Sequence, residues 1–571
     1  MTDPLSTLLD DRFVLIQQIS GLGDFQPGSI TNAVRRCGKP GCHCAKPNDP
    51  GHGPHSQLTQ KIDRKTVTQN LPSQPAVRKA EREIAEFRRF QSLTGELVEV
   101  NRKVCRLRPV EQSEQTQEKK TADAIHQEVT REVDQLLRVV FTGHQKSARF
   151  DLEAIEMAVR SAMHQAGASA LTKLLQFPTP ADDQRRLPCP CGHHARYLEL
   201  RSKPVLTVVG DVKVSRPYYL CPHCGTGQFP VDVELDIANT GCSPGVRRMK
   251  AVAGQDAPFD QGRQQMKDLA GLDVTTKSVE RTAEAIGADI AARQQERIGR
   301  AIQLDLPVVI GKPIPVLYVE MDGTGVPVAK SETVGRQGKI AGQQAHTREV
   351  KLGAVFPQTT CDEDGYPIRD PDSTTYVGAI ETAEEFGKRL YLEAWDRGWS
   401  RAEKKVVIGD GAEWIWNIAD QHFSGAIQIV DLYHARQHLW ELARKLYPNQ
   451  EAEQKRWMTI HQDLLDEGKI EDLVAALRSV DSSNPELLEK IRTEAAYFEK
   501  NAERMRYPKF RAQHLFVGSG VIEAGCKTVI GKRLKQSGMF WSVRGANAII
   551  ALRCCYLNGR FEDYWEARRA A

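Results

Sequence analysis

Three acidic residues carry the chemistry open to this sequence. Asp322 follows the apolar run at 316–321 and precedes Gly323-Thr324-Gly325, and Asp410 follows Val406-Val407-Ile408-Gly409 in the same way. Each reads as a buried strand that ends abruptly in a carboxylate at a sheet edge. Glu523 stands near a helix start, after the turn Gly518-Ser519-Gly520. Three such carboxylates suit a two-metal phosphodiester site. There, hard oxygen ligands hold two Mg²⁺ ions about 3.5–4 Å apart, one activating the attacking oxygen and one the leaving oxygen. Taken alone, Glu523 reads equally well as a capping carboxylate. From 524 to 561 there is no acid, while Lys527, Lys532, Arg533, Lys535, Arg544, Arg553 and Arg560 are all basic. That charge suits contact with DNA phosphates.

Asp431-Leu432-Tyr433-His434 closes a further strand candidate at 426–430. In that place His434 touches the scissile phosphate with Asp431 orienting it, or else it is a hydrogen-bonded structural histidine.

Most of the thirteen cysteines fall in two clusters. Cys189-Pro190-Cys191-Gly192 and Cys221-Pro222-His223-Cys224-Gly225 bracket β-rich stretches at 205–209 and 212–219. That is the layout of a zinc ribbon, two knuckles joined by a hairpin. Four thiolates leave no open coordination position, so this Zn²⁺ is structural. Disulfides are the alternative, and a reducing cytoplasm fits the clustering better. Cys37, Cys42 and Cys44, with His52 or His55, form a looser set within a basic loop that also holds Arg35, Arg36 and Lys39. This loop either binds a second zinc ion or carries reduced thiols only. In both cases its cations suit phosphate.

The elements that position the carboxylates follow from periodicity. After the Asp322 strand come strands at 350–356 and 376–380, a helix at 383–394, the Asp410 strand, a helix through Trp414 and Trp416, and the strand at 426–430. This is the element order of a ribonuclease H-like mixed sheet, with Asp322 and Asp410 on neighbouring central strands. A helical insertion occupies about 436–510, broken at Pro448, Gly468 and Ser482-Ser483-Asn484-Pro485. Its Trp457, Leu464, Leu465, Leu473, Leu477, Leu488, Ile491 and Phe498 are expected to build a small core of their own, with no part in chemistry.

Ahead of the catalytic unit, 259–270 and 276–287 read as a helix-turn-helix with Met266, Leu269, Leu272, Val274, Val279 and Ile286 inward. Lys277, Glu280 and Arg281 would then reach a DNA groove; the alternative is an ordinary helical hairpin. At 571 residues the chain holds several domains. We expect a multidomain α/β chain: an accessory domain at 1–106, a linker and helical segment at 107–180, a zinc ribbon at 181–237, the helix-turn-helix at 238–303 and the catalytic domain at 304–571. The formal charge is only +4, so any acidic partner is met by local clusters. The absence of a leader and of any long apolar run points to a cytoplasmic, nucleoid-associated protein with no membrane partner.

Taken together, Met321-Asp322-Gly323-Thr324-Gly325, Gly409-Asp410-Gly411-Ala412-Glu413-Trp414-Ile415-Trp416, Asp431-Leu432-Tyr433-His434 and Gly518-Ser519-Gly520-Val521-Ile522-Glu523 with its basic helix resemble the ISKra-type (ISKra-four) insertion-sequence transposases of the Mutator-like DDE group. The resemblance runs from about residue 150 onward. It implies Asp322, Asp410 and Glu523 as the metal-binding triad, Asp431 and His434 as an Asp-x-x-His signature, and Mg²⁺ replaceable by Mn²⁺. It also implies that the enzyme binds terminal inverted repeats, cuts the DNA and joins the freed 3′-OH to target DNA. Its partners would be double-stranded element ends and target DNA, held by a homodimer or higher oligomer. Residues 1–106 resemble a small uncharacterised domain found near such elements. The rival readings are a ribonuclease H-like nuclease or resolvase without strand transfer, and a domesticated DNA-binding regulator.

Overall fold

The computed structural model describes residues 4–62, 65–107, 112–147, 151–303, 305–338 and 343–570. It divides into two compact units, Met1–Ala124 and Ile125–Ala571.

In the first unit, strands Ser29–Arg35, His52–Ile62 and Lys65–Asn70 form an antiparallel sheet with the second in the middle. Helices Pro4–Ser20 and Gln74–Leu107 flank it. Leu58, Ala80, Ile84 and Leu93 are buried, and Phe25 stacks on Phe90 with ring centroids 4.8 Å apart. Residues 108–111 of the stretch read as linker lie outside the described residues. From Gln112 the chain is one helix to Ser147, in keeping with the good helix propensity of its Gln and Glu.

The second unit opens on helix Leu152–Leu174 and a four-stranded antiparallel sheet built on the hairpin His194–Thr207/Gly210–Leu220, with Arg186–Pro188 and Gly227–Gln228 at its edges. Helices Pro244–Asp256, Phe259–Ala270 and Thr276–Ile302 follow. Met266, Leu272, Val274, Val279 and Ile286 are buried as expected, but Leu269 is 78% exposed. Left-handed Gly271 ends the Phe259–Ala270 helix and turns Leu272 back to donate its N–H to Met266 O at 3.1 Å. Leu272 thereby takes the inward place that helical spacing assigns to Leu269. Gly287 is not a helix end either. It lies where this helix crosses Val543–Leu557, and a Cβ there would sit 2.0 Å from Ala548 O. The glycine serves close approach rather than termination.

The five-stranded sheet of the second unit has the order Thr375–Ala379, Thr347–Gln358, Ile314–Pro327, Ala402–Gly409, Ile427–Val430. Thr347–Gln358 runs antiparallel to both its neighbours, and the last three strands are parallel. Helices Ala383–Asp396 and Glu413–His422 fall between strands in the expected sequence. The central strand does not stop at Asp322: it pairs on to Pro327 against Thr347–Gln358. At Gly323 a Cβ would meet only the movable carboxylate end of Glu349, so the backbone pairing rather than the glycine carries the strand on.

The insertion breaks where the sequence indicates, into helices Leu432–Leu446, Glu451–Asp466, Ile470–Arg478 and Pro485–Lys500. It does not have a core of its own. Trp457, Leu465, Leu473, Leu477, Ile491 and Phe498 join the cluster that contains Leu317, Val407 and Ile429; Leu464 packs on its edge, and Leu488 stays outside. The cause is the Leu432–Leu446 helix, whose Leu439 and Leu442 extend the sheet's apolar face directly into the insertion. No described helix is long and apolar enough to cross a membrane.

Candidate active site and metal centres

Parallel pairing sets Ile408 beside Glu320, so the residues two positions on, Asp410 and Asp322, come level at the same end of the sheet. Asp322 Oδ1 accepts the Gly323 N–H at 2.6 Å and Oδ2 accepts the Cys526 thiol at 3.3 Å. Burial, and the nearby Asp410 charge, raise the Asp322 carboxyl above its ordinary pKa, while His434 acts in the opposite sense. Asp410 Oδ1 accepts the Ala412 N–H at 2.8 Å, and the Asp410 carbonyl accepts the Tyr497 hydroxyl at 3.0 Å. Gly411 has φ +96°, and a Cβ there would meet the Tyr497 ring at 2.6 Å. The insertion therefore touches the site, contrary to the expectation that it only packs. Nothing in the stripe around Tyr497 signals this in sequence.

Glu320 lies two residues before Asp322 on the same strand face and is fully buried. Its Oε2 accepts the Ile522 N–H at 2.7 Å, and its Oε1 has no partner. This contact holds the helix that starts at Gly520 against the Asp322 strand, one residue before Glu523. Glu523 itself is exposed, with its N–H donating to Ser519 O at 3.1 Å. Helix Gly520–Gly525 runs into a π-helical segment, Cys526–Gly531, a distortion that recurs at functional sites. In sequence, Glu320 is marked by being one acid inside an apolar run.

Burial pushes Glu320 up to about 8 from an ordinary 4.5. The folded protein thus holds a proton that the unfolded chain releases. The resulting stability is complete below pH 4.5 and is lost as pH rises through about 8. Glu320→Gln keeps an acceptor for Ile522 and removes the titration. Its urea midpoint is expected to fall less than the wild type's between pH 5 and pH 8, and parallel falls in both proteins would contradict the assignment.

Asp431 is buried and caps the Leu432–Leu446 helix, accepting the N–H groups of Tyr433 at 2.6 Å and His434 at 3.1 Å. Its Oδ2 accepts the Ser519 N–H at 2.9 Å and the Ser519 hydroxyl. It does not orient the His434 ring as expected. That ring meets His438, with Nε2 atoms 3.3 Å apart, and His438 Nδ1 lies 2.7 Å from Glu494. Asp431 instead ties the His434 helix to the turn that carries Glu523.

The basic residues divide. Lys535 donates to the Thr324 hydroxyl, two residues past Asp322, and Lys527, Lys532 and Arg544 are exposed. Arg533 is fully buried: its Nε donates to Gly254 O at 3.0 Å and its guanidinium lies over the Phe259 and Trp541 rings. It fixes the helix and is out of reach of DNA. Arg553 is buried too, and Arg560 is bound to Glu393 at 2.7 Å. Lys277, paired with Glu280 at 2.6 Å, and Arg281 line a cavity of about 820 Å³. Arg247, Arg293 and Arg568 join them there from distant parts of the chain, against Asp289 alone.

The sulfur atoms of Cys189, Cys191, Cys221 and Cys224 lie within 4.8 Å of one another, with Cys189–Cys224 at 3.6 Å and Cys191–Cys221 at 3.7 Å. A tetrahedral Zn²⁺ with bonds of about 2.3 Å has an S–S edge of roughly 3.8 Å, so the cluster fits zinc. Side-chain and backbone hydrogen bonds with Thr226 lower the Cys224 thiol to about 6, while burial and the neighbouring cysteine side chains push Cys191 up, so the set shares its charge unevenly without a metal. The second set is Cys37, Cys42, Cys44 and His52; His55 is outside it. The other ring nitrogen of His52 lies 3.2 Å from His43, whose Nδ1 lies 3.1 Å from Asp49. Such an outer chain orients a metal-binding imidazole. Among the described residues, donors closing within 4.8 Å in threes or more come from cysteine and histidine; Asp322, Asp410 and Glu523 do not form such a set. Their donors are hard carboxylate oxygens, and burial, together with the Asp410 charge, disfavours ionised Asp322, a cost of the kind a divalent cation relieves.

A family model described as a domain of unknown function, DUF6788, matches residues 6–80. No curated protein matches the chain. Among solved structures, the Drosophila P element transposase strand transfer complex aligns over 56% of this chain and 79% of that chain, at 10% identity and a TM-score of 0.19. That likeness is too loose to bear on fold or function.

Proposed function

We propose that the chain is a DDE-type DNA transposase of the ISKra kind, with a ribonuclease H-like catalytic domain at 304–571 preceded by a zinc ribbon and a helix-turn-helix. The observation that carries this reading is the level placement of Asp322 and Asp410 on adjacent parallel strands, with the Glu523 helix gripped by Glu320 from the Asp322 strand. Asp322, Asp410 and Glu523 would hold divalent cations, which supply activation of the attacking oxygen and stabilisation of the leaving oxygen. Glu320 and Asp431 position the Glu523 turn, Tyr497 fixes the Asp410 backbone, and His434 faces the scissile phosphate. Lys535, Lys527 and Arg544 steer DNA to the carboxylates, while Lys277 and Arg281 hold the element end.

The test is incubation of the purified full chain with duplexes carrying the inverted repeats that flank its gene, with Mg²⁺ and a target plasmid. Nicked ends and joined products are expected. Ends cut but never joined would replace this reading with a nuclease or resolvase, and binding without any cutting would replace it with a regulator.

A further inference from the structure

The first unit carries a second basic site that the catalytic reading does not use. A cleft of about 890 Å³ opens beside the cysteine loop, lined by Arg35, Arg36, Lys39, His55, Ser56 and Asn70, with no carboxylate in its wall. Arg35, Arg36 and Lys39 are exposed, and none forms an ion pair among the described residues. One Arg36 nitrogen donates to Asp49 O at 3.0 Å, which leaves its other donors free to turn toward the cleft. Cys37, Cys42 and His52 belong both to this wall and to the metal-type cluster. The metal set is thus the floor of the cleft, and the Asp49–His43–His52 chain braces it from outside.

We propose that this cleft is a zinc-organised binding site for the phosphodiester backbone of DNA. Two guanidinium forks and an ammonium match phosphate oxygens, while the His55 ring and the Asn70 amide N–H₂ offer further donors for phosphate and sugar oxygens; the Ser56 hydroxyl already donates to Asn32. Leu71 and Pro72 are the wall's only aliphatic side chains, too few for the insertion that membrane binding requires. The contacts are to backbone and carry no sequence preference, so the site adds grip without choosing the end sequence. Holding the loop by Cys37, Cys42, Cys44 and His52 fixes the spacing of Arg35, Arg36 and Lys39 in advance of binding. The inference does not depend on the carboxylate chemistry, because it concerns binding alone.

The experiment measures affinity of the full chain for a short fluorescent duplex of arbitrary sequence across a salt series, with zinc content determined on the same samples. Each phosphate contact contributes about 0.9 to the slope of log affinity against log salt. Arg35→Ala/Arg36→Ala/Lys39→Ala is expected to lower that slope by about 2.7 and to weaken binding more than tenfold, with zinc content unchanged. Cys42→Ser should lose one zinc per chain and weaken binding in the same direction. The salt series is run without Mg²⁺, so the slope reports binding alone, which separates failure here from failure of the catalytic reading. An unchanged slope in the triple variant with zinc retained overturns the proposal. So does a loss that appears with phosphatidylserine vesicles and not with the duplex. Should the triple variant lose zinc, Arg35→Ala and Lys39→Ala singly must each lower the slope by about 0.9, and unchanged slopes in both overturn it equally.

Discussion

Asp322→Asn is expected to reduce Mg²⁺-dependent cleavage of element-end DNA by on the order of 10³-fold or more, since cation stabilisation of the reacting oxygens supplies several kcal/mol. The substitution is nearly isosteric. It keeps an oxygen for the Gly323 N–H, now 2.6 Å from Asp322 Oδ1, and gives up only the long 3.3 Å contact in which Oδ2 accepts the Cys526 thiol. What disappears is the negative charge, and with it a destabilising feature: burial and the proximity of Asp410 already disfavour ionised Asp322 in the fold. Activity should therefore collapse while the urea midpoint holds or rises, the pattern of a site whose strain serves function. Asp410→Asn should lose activity in the same way. Retained cleavage would sink the triad, and loss of cleavage together with loss of cooperative unfolding would show a structural effect instead.

The second large effect concerns Cys221, which is completely buried in the ribbon cluster. Cys221→Ser is expected to remove one zinc per chain and to release the sheet around His194–Thr207 and Gly210–Leu220. Structural zinc contributes apparent binding energies of about 10–16 kcal/mol, comparable to or larger than the whole margin of a folded domain. The hairpin has little to fall back on. Its own clusters are Ala195 and Tyr219 with the cysteines, and Val205, Val214 and Ile237. Hydrogen exchange followed by mass spectrometry should show the hairpin amides unprotected in the variant while the Val316–Met321 core stays protected. Wild-type protein free of zinc, or a Cys221→Ser variant with full hairpin protection, would remove the ribbon.

Much of this was legible in one dimension. Apolar runs ending in Asp322 and Asp410, cysteine pairs set in Pro/Gly turns, and breaks at Pro448, Gly468 and Pro485 are local signals, and each element they mark is formed by local chemistry. The unread parts depend on which distant residues meet. Nothing in the order of residues pairs Glu320 with Ile522, sets Tyr497 under Asp410, or chooses His52 over His55. Gly287 shows the limit in its sharpest form. A glycine late in a helical pattern is a stop or a crossing point, and only the partner, Ala548, decides which. Arg533 teaches the same about charge: a basic run reads as a DNA surface, yet this member is buried against the Phe259 and Trp541 rings.

Asp431 has a meaning for how such a chain can change over time. The Leu432 N–H donates to Val517 O at 2.9 Å, and Asp431 itself grips Ser519. The excursion from 432 to 518 thus leaves and re-enters the fold at a single clasp. A segment closed at its root can be lengthened or trimmed at its outer turns while the helix that carries Glu523 keeps its station. Its inner faces are not free to change in this way, because Tyr497 fixes the Asp410 backbone and Trp457, Leu473 and Phe498 belong to the sheet's core.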